Sequence, residues 1–187
     1  SDILAAYRAG QRAFGENYLQ DALPKIQALR DTDIEWHFIG RIQSNKTAEI
    51  SRYFQWVHGL DRLKHAERLS RQRPEQLPPL QVCIQVNLSG EASKGGVVPQ
   101  DLAALATAVA RMPRLRLRGL MTMPDPGAPP TSQTAAFAGL RRLLDELKVQ
   151  GLELDTLSMG MSADMEAAIA EGSTIVRIGT DIFGRRD

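Results

Sequence analysis

The sequence predicts an α/β chain of the (β/α)8 barrel type with its first strand missing, and three observations predict it. Apolar, β-prone runs alternate with amphipathic helical stretches along the whole chain, the pattern of a parallel sheet covered by helices. The last two runs end in glycine and hydroxyl residues suited to an anion, as do the loops after the seventh and eighth strands of such barrels. The strand-like runs number seven, and the chain opens with a helix pattern rather than a strand.

The elements follow in order. Ser1 and Asp2 are helix N-cap types, and Ile3, Leu4 and Tyr7 continue a helical apolar face. Strands are expected near Ala13–Asn17, Glu35–Gly40, Trp56–Leu60, Leu80–Leu88, Leu115–Met123, Thr156–Ser162 and Ser173–Phe183. Helices fill the intervals, at about Leu19–Arg30, Ser44–Tyr53, Arg62–Arg71, Gln100–Met112, Thr131–Gln150 and Ala163–Glu171. Proline-rich breaks at Pro74–Pro79 and Pro124–Pro130 read as loops, because the alternation resumes at once. One βα unit lacks its strand, so the first barrel strand is expected upstream of Ser1. The 187 residues suit a single domain, which at this size buries roughly 70% of its unfolded surface.

A formal net charge of +1 argues against a general nucleic-acid or membrane-surface binder. No apolar stretch approaches the roughly 20 residues of a membrane span. The single cysteine, Cys83, sits in the apolar run Leu80–Leu88; it reads as core and suits a reducing, cytoplasmic compartment. His37, His58 and His65 lack metal-ligand spacing, and His37 reads as a barrel-interior hydrogen-bonder. No P-loop, dinucleotide fingerprint or serine nucleophile elbow is present.

The candidate site is LSMGMSADMEAAI, Leu157–Ile169, with STIVRIGTDIFG, Ser173–Gly184. Gly160 lets the backbone turn where a side chain would obstruct a ligand, and Ser162 stands where a helix would begin. A helix start offers unpaired N–H groups and a partial positive charge to an anion. The blander reading makes Ser162 a simple N-cap, with Asp164 and Glu166 complementing the dipole. Gly179 and Thr180 offer a bare backbone and a hydroxyl after the last strand. Arg177 interrupts that apolar strand, and a buried guanidinium requires partners, so it is expected to face a carboxylate or a ligand.

FGENYLQDALPKI (Phe14–Ile26), WHFIGRIQSNK (Trp36–Lys46), VHGLD (Val57–Asp61), QVNLSGEASKGG (Gln85–Gly96), RGLMTM (Arg118–Met123) and the two C-terminal segments together resemble the pyridoxal-phosphate homeostasis proteins. The resemblance runs from about Phe14 to Gly184. It implies a single TIM-barrel domain like the N-terminal domain of alanine racemase, binding pyridoxal 5′-phosphate (PLP) without established turnover. The family's role lies in keeping vitamin B6 and amino acids in balance, with PLP-dependent apo-enzymes as possible recipients. Carried over, Ser162, Gly179 and Thr180 would hold the phosphate, Arg177 would face the pyridine nitrogen, Asn17 would lie near the ring substituents and Met159 would line the pocket.

The family's Schiff-base lysine lies on the first strand, in a segment resembling AVSKTKP that is not found here; its place is immediately before Ser1. Lys25, Lys46, Lys64, Lys94 and Lys148 fall on expected helices or loops; of these, Lys46 and Lys94 are the alternatives for that role. An always-protonated guanidinium at the pyridine nitrogen would weaken the cofactor as an electron sink, which favours binding over turnover. Racemases of this fold also carry an arginine there, so a PLP-dependent racemase or lyase is the alternative. A third reading is a barrel that binds a sugar phosphate.

Overall fold

The computed structural model describes residues 2–90 and 95–184. The elements run α1 (Asp2–Arg8), β1 (Ala13–Glu16), α2 (Leu19–Ala28), β2 (Glu35–Phe38), a 3₁₀ turn (Ser44–Lys46), α3 (Thr47–Tyr53), β3 (Trp56–Leu60), α4 (Leu63–Gln72), β4 (Leu80–Gln85), α5 (Pro99–Ala110), β5 (Leu115–Met121), α6 (Pro130–Val149), β6 (Thr156–Met161), α7 (Met165–Ala170), β7 (Ile175–Arg177) and α8 (Thr180–Phe183). All strands pair in parallel, in sequential order β1 to β7. That order follows from the right-handed crossovers that intervening helices impose.

The sheet curls into a nearly closed barrel. In a flat sheet β3 and β6, three positions apart, would be separated by about 14 Å at the usual strand spacing. Yet the His58 imidazole of β3 and the Ser158 hydroxyl of β6 meet at 2.6 Å. Among the described residues, β1 and β7 each have one unpaired edge.

Helices cover the outer face because each carries one apolar stripe at helical spacing. On α5 the stripe is Leu102, Leu105, Ala106 and Val109; on α6 it is Phe137, Leu140, Leu144 and Leu147. These close on Val57, Val82, Ile84 and Leu120 of the strands to form one main core. A second, smaller cluster of Trp56, Cys83 and Met121, with Ile175 against it, fills the barrel interior. Each fully buried large side chain, such as Phe54 or Phe137, contributes on the order of 2 kcal/mol.

The expected elements are all present, and most differ only at their ends. The main correction is the last one. The expected strand Ser173–Phe183 is a three-residue strand, Ile175–Arg177, followed by the single turn α8. Gly179 interrupts the ladder, and its carbonyl instead accepts from the Ile182 and Phe183 N–H groups. Arg73, unremarked in the sequence, is 3% exposed and donates to the carbonyls of Ser51, Phe54 and Pro78, tying α3 to α4 and the proline loop.

Candidate functional site

The carboxyl ends of β6 and β7 lie side by side, since Met161 is opposite Arg177 in the register. Gly160 turns the chain there at φ 97°, and a Cβ at that position would lie 2.6 Å from the Ala168 methyl. The next residues form a tight turn in which the Met161 N–H donates to the Asp164 carboxylate at 2.6 Å. Asp164, not Ser162, occupies the N-cap position, and α7 starts at Met165 rather than Ala163. The simple N-cap reading of Ser162 is therefore overturned. The Ser162 hydroxyl oxygen is instead buried with no hydrogen-bond partner among the described residues. Leaving such a group unpaired costs about 1–3 kcal/mol, a cost that a water or a ligand oxygen at this turn would remove. Gly179 and Thr180 are exposed at the adjoining end of β7.

Arg177 points into the barrel. Its guanidinium donates to the Ser158 hydroxyl at 2.8 Å and to the Thr122 carbonyl at 3.1 Å. The carboxylate expected beside it is not a direct partner: among the described residues Arg177 forms no ion pair, and Asp164 acts on it only at longer range. Burial pushes the guanidinium down to about 10, which leaves it charged at neutral pH. A guanidinium has five N–H groups in a fixed fork, so two protein acceptors leave donors for a ligand.

Behind Arg177 runs a chain of polar groups that sequence reasoning found only in part. The Ser158 hydroxyl meets His58 Nδ1 at 2.6 Å, His58 Nε2 meets His37 Nδ1 at 2.8 Å, and His37 Nε2 meets a Glu35 carboxylate oxygen at 3.0 Å. The interior hydrogen-bonding role expected of His37 is what the structure gives it. Trp56 stacks on the His37 ring, with centroids 5.3 Å apart. Burial, then the neighbouring His37 and Arg177, hold His58 well below the usual imidazole value, so it is neutral. The hydrogen bond from His37 holds the Glu35 carboxyl below its ordinary range. Ser158 and His58 were not linked in the sequence because they lie 100 residues apart, and Glu35, two residues from its partner His37 on the same strand, carried no signal of its own; the one signal was a polar residue on the inward phase of an apolar run.

The other expected residues are less convergent. Asn17 is exposed just beyond β1, its backbone fixed by Gly40, where any side chain would collide with the Asn17 carbonyl. Met159 is fully buried, but it alternates with the inward Ser158 and belongs to the main core with Leu157 and Ala168, so its side chain faces the helices and not the pocket. Lys25 is held by Glu16 at 2.6 Å, Lys64 and Lys148 are on α4 and α6, and Lys46 closes the 3₁₀ turn, so none of these lysines is on a strand. Lys94 lies outside the described residues.

The model of the alanine racemase N-terminal domain matches residues 2–187. The pyridoxal phosphate homeostasis protein of Pseudomonas aeruginosa is 64% identical over 185 residues, covering 99% of this chain and 79% of that protein. This chain belongs to the pyridoxal phosphate homeostasis protein family. The homeostasis protein of Escherichia coli K12 is 53% identical over 190 residues, with 100% of this chain and 81% of that protein covered. Among solved structures, PipY of Synechococcus elongatus with PLP bound superposes with a TM-score of 0.90 at 40% identity, over 97% of this chain and 86% of that one. Alanine racemase from Corynebacterium glutamicum matches at TM-score 0.73 and 22% identity, over 98% of this chain and 51% of that one, and so shares the fold. These matches agree with the alternation of strand and helix read from the sequence.

Proposed function

We propose that this protein binds PLP at the carboxyl ends of β6 and β7 and acts in vitamin B6 homeostasis as a carrier rather than as an enzyme. The observation that carries the proposal is the buried Ser162 hydroxyl, without a partner among the described residues, beside the glycine-lined end of β7. A phosphate oxygen is an acceptor of the kind that hydroxyl lacks, and the bare backbone at Gly179 with the Thr180 hydroxyl completes a cradle. Arg177 would donate to the pyridine nitrogen with the N–H groups its protein partners leave free. Asn17 would stand near the ring substituents, while Met159 would shape the site from the helix side through its backbone.

When bound, PLP supplies an aldehyde that captures amines and a ring that withdraws electrons. Arg177, which stays protonated, would donate to an unprotonated ring nitrogen and so would mute that withdrawal. The relatives' name, and PipY's bound PLP, support binding and homeostasis. In this reading a lysine amine engages the aldehyde of PLP. PLP-dependent apo-enzymes would be its recipients. The buried, single thiol of Cys83 suits the cytoplasm.

The test is a PLP titration of the full-length protein followed by α-proton exchange of amino acids in deuterated solvent. Stoichiometric binding with no exchange above that of free PLP is expected. Exchange lost on replacing the engaged lysine would make the protein a racemase or lyase instead. Binding of sugar phosphates at comparable affinity, in competition with PLP, would support the third reading.

A further inference from the structure

The chain from Glu35 to Arg177 crosses the barrel from one mouth to the other. Glu35 opens β2 at the amino end of the sheet, its side chain 47% exposed, and Arg177 closes β7 at the carboxyl end. Between them the imidazoles of His37 and His58 and the hydroxyl of Ser158 are buried. Both ends of the chain fix who donates. Arg177 can only donate, so Ser158 Oγ accepts there; an ionised Glu35 can only accept, so His37 Nε2 carries a hydrogen.

With both imidazoles neutral, one arrangement satisfies every link. The Ser158 O–H donates to His58 Nδ1, the His58 Nε2–H donates to His37 Nδ1, and the His37 Nε2–H donates to Glu35. If one proton is added, His37 carries hydrogens on both nitrogens and donates from Nδ1 to His58 Nε2. His58 then bears its hydrogen on Nδ1 and donates to Ser158 Oγ. The hydroxyl accepts from two sides, and its own hydrogen is free for a new acceptor.

We propose that Glu35, His37, His58 and Ser158 form a one-way hydrogen-bonded array that positions Arg177, and that uptake of one proton at His37 reverses the array and releases the Ser158 hydroxyl hydrogen. Ser158, His58 and His37 are thus positioning residues that couple a charge settling on His37, near one barrel mouth, to the donor pattern of Ser158 at the cofactor face of the other. The balance is a net gain of one proton. The hydrogen on His58 Nε2 passes to His37 Nδ1, and a proton enters at His58 Nδ1 from the Ser158 side. The surrounding charged groups are Arg118 with its partner Asp155 near Glu35, and Asp164 near Arg177. The Cys83 thiol between them, pushed up to about 12 by burial, stays neutral. The array itself stands on the geometry; only its effect on the cofactor rests on the PLP reading.

The experiment is long-range ¹H–¹⁵N NMR of the histidine rings in the full-length protein across pH, before and after adding PLP, alongside the PLP visible band. Wild type is expected to hold the His58 hydrogen on Nε2 near neutral pH. On acidification that hydrogen should appear on Nδ1 as His37 becomes doubly protonated, with a shift of the PLP band over the same interval. H37Q keeps a hydrogen bond to Glu35 but takes up no proton, and should lose the band shift of whatever PLP it binds. S158A is expected to keep the His37 transition and lose the band shift, which secures the test should H37Q fail to fold. His58 with its hydrogen on Nδ1 at every pH, or a band that shifts equally in both variants, would overturn the proposal. The expected histidine behaviour without any PLP binding would support the array and refute the cofactor reading.

Discussion

Arg177 and Ser158, on neighbouring strands, are joined by a 2.8 Å hydrogen bond inside the barrel, and that bond fixes the direction of the guanidinium. A charged donor held by a hydroxyl and a carbonyl, rather than by a carboxylate, keeps its full charge for a ligand. R177A in the full-length protein is expected to weaken PLP binding about 10–100-fold, the worth of a hydrogen bond to a charged group. Fluorescence titration checks it.

Stability should fall with acidity through His58. Its folded value lies well below the ordinary 6.5, so the native state keeps it neutral where the unfolded chain protonates. Its contribution is present above about pH 6.5 and is lost as pH falls from there toward the folded value. Glu35, lowered from 4.5, adds loss of the same sign at lower pH. Urea unfolding at several pH values should show a shallower decline between pH 6.5 and 5 in H58N than in wild type.

Arg73 is structural. Its guanidinium donates to the Ser51, Phe54 and Pro78 carbonyls at 2.7, 2.8 and 2.9 Å. R73A leaves these acceptors unpaired and should cost about 3 kcal/mol of stability, with PLP affinity unchanged. Denaturant midpoints and PLP titration separate the two effects.

Gly160 couples backbone shape to the site. G160A forces a side chain into φ 97° and against the Ala168 methyl, for a cost of about 1–3 kcal/mol. The turn carrying Ser162 must move to relieve it. A lower melting temperature and weaker PLP binding are expected together.

Much of this was legible in the sequence, for identifiable reasons. The alternation of apolar runs with helical stripes set the order of strands and helices, and Gly160, Ser162 and Gly179 marked the ends of β6 and β7. The turn at Ser162 was misread because Asp164 offers its carboxylate to the Met161 N–H and takes the cap position itself. Met159, assigned to the pocket by resemblance, packs in the main core, one step of strand alternation from the inward Ser158. The link from Ser158, which holds Arg177, to His58 was hidden because barrel curvature, not spacing, brings these two residues together across 100 residues of chain.

The most direct measurement compares PLP with pyridoxal, which lacks the phosphate, for binding to full-length wild type and S162A. If the buried Ser162 hydroxyl waits for a phosphate oxygen, S162A weakens PLP by roughly 10-fold and leaves pyridoxal unaffected. Equal loss for both ligands, or no loss for either, would contradict the placement of the phosphate at the ends of β6 and β7.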